Sequence, residues 1–143
     1  MSEKLAKKLG EVLAFARCDR ETFEKARVAL TSAFNDGHQS ILDSFIAEIV
    51  QIESFASATT LAQAEKTTEK LRSMRDLYIG EEWDNATEVL EWLGFFEGAA
   101  IVHWNLVKSL AEKEGQKEIV DLAATGFANH QKIFERVNAA ISK

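Results

Sequence analysis

Three ionisable residues, Glu97, His103 and His130, stand on apolar stretches of the chain, where ionisable groups are uncommon. The two histidines fall on the apolar stripes of two consecutive predicted helices joined at Gly115. At a rise of about 1.5 Å per residue, their heights above that turn differ by only about 4.5 Å. Imidazoles at one level can bind a metal ion together, although each can equally be a separately hydrogen-bonded core histidine.

Glu97 is the most unusual carboxylate, because it lies in the apolar segment Leu93–Ala100. Burial raises the pKa of a carboxyl group unless a cation or a hydrogen-bond donor holds the charged form. Such a group serves as a metal ligand, a general base or a structural anchor. Glu97 and His103 point about 120° apart around a helix, so they cannot both face the same neighbour. We predict that Glu97 is either protonated or held by a neighbouring donor, for which the candidate is the His130 imidazole, about one turn away in level.

The sequence contains no motif for disulfide, phosphate-binding or nucleophilic chemistry. The chain has one cysteine, Cys18, so no intrachain disulfide is possible. It lacks a Gly-rich phosphate loop, a Cys-x-x-Cys pair and a serine nucleophile elbow. No catalytic residue is assigned, no cofactor is expected, and a non-enzymatic role is favoured.

The elements that must position these side chains are helices. The 143 residues contain no proline, and their apolar residues recur at helical spacing. We predict a first helix from about Glu3 to Cys18, with Asp19 capping the next helix and Gly37 providing a left-handed stop. Asn85 is predicted to cap the helix that carries Glu97. The expected fold is all-α, a single domain over residues 1–143 forming an antiparallel bundle of five or six helices.

The segment from Val89 to Leu110 is apolar on nearly all sides, which predicts a central helix or a dimer interface. Its Gly94 and Gly98 each cost about 1 kcal/mol in a helix, which suggests close approach of another backbone. We therefore expect a homodimer. Trp92 and Trp104 on this segment leave open a pocket for a small apolar ligand.

The formal net charge of −6 argues against binding to nucleic acid. The stretches 28–65 and 76–107 contain several aspartates and glutamates but no lysine or arginine. These stretches are either solvated helix faces or an acidic surface for a basic protein partner. No secretory or membrane-spanning segment is recognised, so a cytoplasmic location is expected.

Glu97, the run Leu110–Gly115 and the segment Ala128–Gln131 together resemble the C-terminal half of a ferritin-like, rubrerythrin-type bundle. The resemblance implies a four-helix core with an extra N-terminal helix and a centre of two iron or manganese ions. Glu97 would match the third-helix glutamate and His130 the fourth-helix histidine. The chain departs from the family pattern because it contains no Glu-x-x-His, and Phe127 stands where the fourth-helix glutamate belongs.

The leading functional hypothesis is a non-catalytic intracellular protein that acts through protein–protein interaction or regulation. The first alternative is a ferritin-like metal-binding protein, an oxidase or storage relative. It would use Glu97, His103 and His130 with Glu48 or Glu53 from another helix. The second alternative is a binder of a small apolar ligand.

Overall fold

The computed structural model describes residues 1–143 and contains six helices and no strand, which confirms the predicted all-α bundle. None of the helices combines the length and apolar character needed to cross a membrane. The helices are α1 (Glu3–Lys25), α2 (Arg27–Phe34), α3 (Gly37–Glu53), α4 (Ala58–Ile79), α5 (Ala86–Lys113) and α6 (Lys117–Ile141).

Helix α4 connects α3 to α5 and runs the length of the bundle beside α1. Glu21 near the end of α1 pairs with Arg72 near the end of α4, and Gly10 lies against Thr60 at the start of α4. Helices α1 and α4 therefore run in the same direction. By contrast, α5 and α6 form an antiparallel hairpin around Gly115, whose φ of +67° suits glycine. Their contact is the most extensive between any two helices.

The predicted end of the first helix at Cys18 and the capping role of Asp19 are wrong. Helix α1 continues to Lys25, and Asp19 lies within it at 0% exposure. The apolar stripe that begins at Leu5 extends to Phe23, so burial of this face outweighs the preference of aspartate for a helix cap.

The stop between α2 and α3 also differs from the prediction. Asn35 has the positive φ, +54°, and Gly37 begins α3. A Cβ at Gly37 would overlap the guanidinium of Arg136, which is the far end of a flexible side chain and can move aside, so this contact does not itself require glycine. The predicted cap of α5 is present, because Asn85 Oδ1 accepts hydrogen bonds from the amides of Thr87 and Glu88 at 3.1 and 3.4 Å.

Helix α5 is buried on one side and exposed on the other. Trp92 and Trp104 belong to the core, at 5% and 0% exposure. Phe95 and Val102 on the opposite side are 67% and 65% exposed. The apolar cleft of about 370 Å³ beside α5 is lined instead by Leu90, Glu91, Gly94, Phe95, Phe134, Val137, Asn138 and Ile141. The tryptophans thus stabilise the core and do not line this cleft.

Candidate functional site

Four helices each place one ionisable side chain in the middle of the bundle. These side chains are Asp19 of α1, Glu48 of α3, Glu97 of α5 and His130 of α6, hereafter the carboxylate–histidine cluster. Asp19, Glu97 and His130 are 0% exposed and Glu48 is 5% exposed. Burying four such groups together requires that they satisfy one another or bind a cation.

His130 is at the centre of this cluster. Its Nδ1 lies 2.7 Å from Glu97 Oε1 and its Nε2 lies 2.7 Å from Glu48 Oε2. Asp19 Oδ2 is 3.7 Å from the same Nδ1. The predicted contact between Glu97 and His130 is therefore present, and the doubly protonated imidazolium can donate one hydrogen bond to each glutamate.

The surroundings change the protonation of two members. Burial lowers the pKa of His130, but the charges of Glu48 and Glu97 overcome this effect and raise the pKa from 6.5 to about 10. Burial raises the pKa of Asp19 well above its usual range, and the Glu97 carboxylate raises it further. At neutral pH the metal-free cluster therefore holds a cationic imidazole, and the raised pKa of Asp19 favours its protonated form, which can share its proton with Glu97.

Three oxygens of the cluster lack a nitrogen or hydroxyl donor. They are both carboxyl oxygens of Asp19 and Oε2 of Glu97. A proton shared between Asp19 and Glu97 joins one oxygen of each residue. At least one buried Asp19 oxygen is then left without a partner, which costs roughly 1–3 kcal/mol. One ligand atom from each of Asp19, Glu97 and His130 lies within 4.8 Å of the other two. These three residues could therefore hold a metal ion.

Neighbouring residues other than Asp19, Glu97 and His130 help to hold Glu48 in position. The side-chain amide of Asn129, next to His130 in α6, donates to Glu48 Oε1 at 3.5 Å and to Ser44 Oγ at 3.3 Å. The ring of Phe45 lies beside the imidazole, with centroids 5.8 Å apart. The orientation of His130 is thus set by groups of α3 as well as by Glu97.

His103 lies outside the cluster. Its Nδ1 donates to the carbonyl of Ala99 at 2.8 Å, and its Nε2 is 3.8 Å from Glu11. The side chain is 34% exposed and packs against Phe15. The angular separation from Glu97 around α5 explains this placement. Glu53 is also elsewhere, paired with Arg17 at 3.0 Å.

Asp19 is the one member of the cluster that is absent from the predicted site residues, because aspartate in this position is typical of a helix cap. A signal was nevertheless present. Val12, Ala16, Asp19 and Phe23 follow one another at spacings of four, three and four, so Asp19 occupies an apolar position of a continuous helix. A charged residue on a buried stripe needs a partner.

A second buried charge, Arg75, has a structural role. Its guanidinium is 2.8 Å from Glu21 and 2.9 Å from Asp76, and it also donates to the Thr22 hydroxyl at 3.3 Å. The neighbouring Cys18 is buried, and burial raises the pKa of its thiol to about 11. A thiol that stays protonated is a poor nucleophile, so this region carries no reactive cysteine.

No protein-family model matches the chain, and no curated protein or solved structure matches it either. The carboxylate–histidine cluster is therefore the main basis for a functional proposal.

Proposed function

We propose that this protein binds one divalent transition-metal ion through Asp19, Glu97 and His130 in a closed, non-catalytic site. The observation that carries this proposal is the fully buried Asp19 carboxyl group, which lies beside Glu97 and the His130 Nδ1 and accepts no hydrogen bond from a nitrogen or hydroxyl donor. A cation between these groups would replace the proton that Asp19 can share with Glu97 and would bond to the carboxyl oxygens.

The donor set favours a first-row transition ion. One imidazole nitrogen with two carboxylates suits Zn²⁺, Mn²⁺ or Fe²⁺, whereas Mg²⁺ and Ca²⁺ prefer oxygen ligands alone. Bonds of about 2.2 Å place two ligand atoms at most about 4.4 Å apart. The observed limit of 4.8 Å needs an adjustment of only a few tenths of an ångström.

Glu48 would orient the histidine without binding the ion. A histidine that binds metal through one nitrogen commonly donates its other N–H to a carboxylate. Glu48 Oε2 accepts from Nε2 at 2.7 Å, which leaves Nδ1 directed at Glu97 and Asp19. The ion would take the place of the proton between Nδ1 and Glu97.

The residues present fit one ion and not two. A di-metal centre of the ferritin type uses four carboxylates and two histidines. The cluster has three carboxylates and one histidine, and Phe127 packs against apolar core residues. The iron or manganese pair implied by the family resemblance is therefore not proposed.

Helix order supports a distant ferritin-like relationship. The four members of the cluster come from α1, α3, α5 and α6, while α4 carries the chain back along the bundle. One long crossover connection is a feature of ferritin-like bundles. On this proposal each of the four core helices keeps one inward-pointing carboxylate or histidine. The chain would lack the second of the two histidines that a ferritin-type di-metal centre uses.

The closed position of the cluster favours storage or structural binding over catalysis. Its three proposed ligands are 0% exposed, so a substrate molecule has no contact with them. An ion enters such a site during folding or local opening, and once bound it stabilises the folded state.

The test is metal-dependent thermal stability. Protein is stripped with EDTA in denaturant, refolded without metal, and melted with and without Zn²⁺ or Mn²⁺. We expect one of these ions to raise the Tm by about 5–10 °C at a hundredfold excess over its Kd. Mg²⁺ is expected to have little effect.

Matched variants locate the site. Asp19→Asn and His130→Gln should each lose most of the metal-induced shift relative to their own metal-free Tm. His103→Gln, which changes a histidine outside the cluster, should keep it. An unchanged Tm of the wild type with every ion would refute the proposal. An equal shift in a folded Asp19→Asn variant would also refute it.

A further inference from the structure

The outer face of α5 carries exposed apolar side chains that no other helix covers. Phe95, Val102 and Leu106 are 67%, 65% and 38% exposed. Tyr78 of α4 extends this surface, with its ring centroid 5.7 Å from that of Phe95. A side chain added at Gly94 would meet nothing within 4 Å, and one added at Gly98 would meet only the edge of Phe134 at 3.8 Å, an ordinary van der Waals contact.

The residues along this face are arranged symmetrically about Gly98. Glu88 and Lys108 are equally far from Gly98 in sequence, as are Glu91 and Asn105, and Gly94 and Val102. All of these positions are partly or fully exposed. They recur every three or four residues, so they form one continuous seam on the helix.

We infer that two copies of this chain pair through α5, antiparallel, with the two-fold axis at Gly98. Antiparallel pairing places each residue opposite the one equally far on the other side of the axis. Glu88 of one copy then meets Lys108 of the other, and Glu91 meets Asn105. Val102 faces the open position at Gly94, and the two Gly98 backbones meet at the axis.

A second copy of the chain also matches the shape of this surface. Val102, which is 65% exposed, lies opposite Gly94 of the second copy in this pairing. Gly94, Phe134 and Ile141 line an apolar cleft of about 370 Å³, so the projecting valine of each copy lies at the level of the cleft of the other. The charges agree as well, because acidic Glu88 and Glu91 precede the axis and basic Lys108 follows it.

Sedimentation equilibrium at tens of micromolar protein tests the choice of face. We expect a dimer for the wild type and for Val50→Lys, and a monomer for Val102→Lys. The two valines are matched, at 63% and 65% exposure, but Val50 lies on α3. A monomeric wild type, or equal dissociation by both substitutions, would overturn the inference.

Charge exchange and cross-linking test the register. Glu88→Lys should raise the dimer Kd by about 3–10-fold through repulsion from Lys108, and adding Lys108→Glu should restore it. The double variant with Glu91→Cys and Asn105→Cys should form a covalent dimer on mild oxidation. The single cysteine variants should not, because like positions lie about 21 Å apart along the seam.

The native thiol does not interfere with this assay, since Cys18 is 1% exposed. Cross-linking of a single variant, or failure of the double variant in a protein that is dimeric, would overturn the proposed register. These assays involve none of the proposed metal ligands, so their outcome is independent of the metal site.

Discussion

Glu97 is held in place mainly through hydrogen bonding at His130. In Glu97→Gln the amide oxygen can still accept from His130 Nδ1, and the amide N–H₂ can donate to Asp19, whose oxygens lack a donor. We expect the metal-free Glu97→Gln variant to lose less than about 1 kcal/mol of unfolding free energy. Glu97→Ala should lose about 1–3 kcal/mol, because the imidazole is left without this acceptor.

Urea unfolding of both variants in the presence of EDTA measures the difference. A Gln variant as unstable as the Ala variant would show that the negative charge of Glu97, rather than its hydrogen bonding, stabilises the cluster.

Protonation of His130 makes the stability of the metal-free protein dependent on pH. The folded-state pKa of about 10 lies above the ordinary value of 6.5. The stabilisation is therefore fully present below about pH 6.5 and is lost as the pH rises towards 10. The raised pKa of Asp19 acts in the same direction, because the folded state again binds the proton more tightly.

We expect the unfolding free energy of the metal-free wild type to fall by on the order of 1 kcal/mol per pH unit between pH 7 and 9. Urea unfolding across this range measures it. His130→Gln should flatten the slope, whereas His103→Gln should leave it unchanged. A wild-type stability that rises or stays constant over this range would contradict the assigned protonation.

The composition of the cluster was only partly predictable. Helix rise places His130 near Glu97, and helix rotation separates His103 from both, so simple geometry is sufficient for these residues. Asp19 could not be recognised by local propensity, because aspartate favours helix caps and the burial of α1 overrides that preference. The hydrogen bond between His130 Nε2 and Glu48 depends on how α3 packs against α6, and no local sequence pattern predicts that packing.

At the scale of the elements, close packing of α5 and α6 depends on Gly126. A side chain there would overlap the ring of Trp104, which is 0% exposed. We expect Gly126→Ala to lower the unfolding free energy by about 1–3 kcal/mol, because a rigid buried indole has little room to move.

Gly94→Ala is the matched control on the open side of α5. No atom lies within 4 Å of the added carbon, so the better helix propensity of alanine should stabilise the monomer by about 0.5–1 kcal/mol. Denaturation at dilutions that dissociate a dimer measures both variants. A Gly126→Ala protein as stable as the wild type would contradict the described packing.

The ends of the helices show what local sequence can and cannot specify. Gly80 and Gly115 end helices with φ of +60° and +67°, as glycine at such positions predicts. Asn35 takes the positive φ that was predicted for Gly37, and asparagine is one of the non-glycine residues that most readily adopt a positive φ. The helix therefore ends at this turn as predicted, but the residue with the positive φ is Asn35 and not Gly37.

At the scale of the whole molecule, α5 serves two surfaces. Glu97 points into the carboxylate–histidine cluster, and the adjacent Gly98 faces the proposed seam. This division explains why the segment from Val89 to Leu110 is apolar on both sides, although the bundle buries only one. A basic protein partner for the acidic stretches stays a prediction.

Metal content measured directly on the whole protein is the most decisive test of the proposed site. The chain is produced in medium containing zinc, manganese and iron, purified without chelator, and analysed by inductively coupled plasma mass spectrometry together with Asp19→Asn. We predict close to one transition-metal ion per wild-type chain and close to none in the variant. A wild type with no more metal than the folded variant would contradict the account, and two ions per chain would contradict the single-ion site.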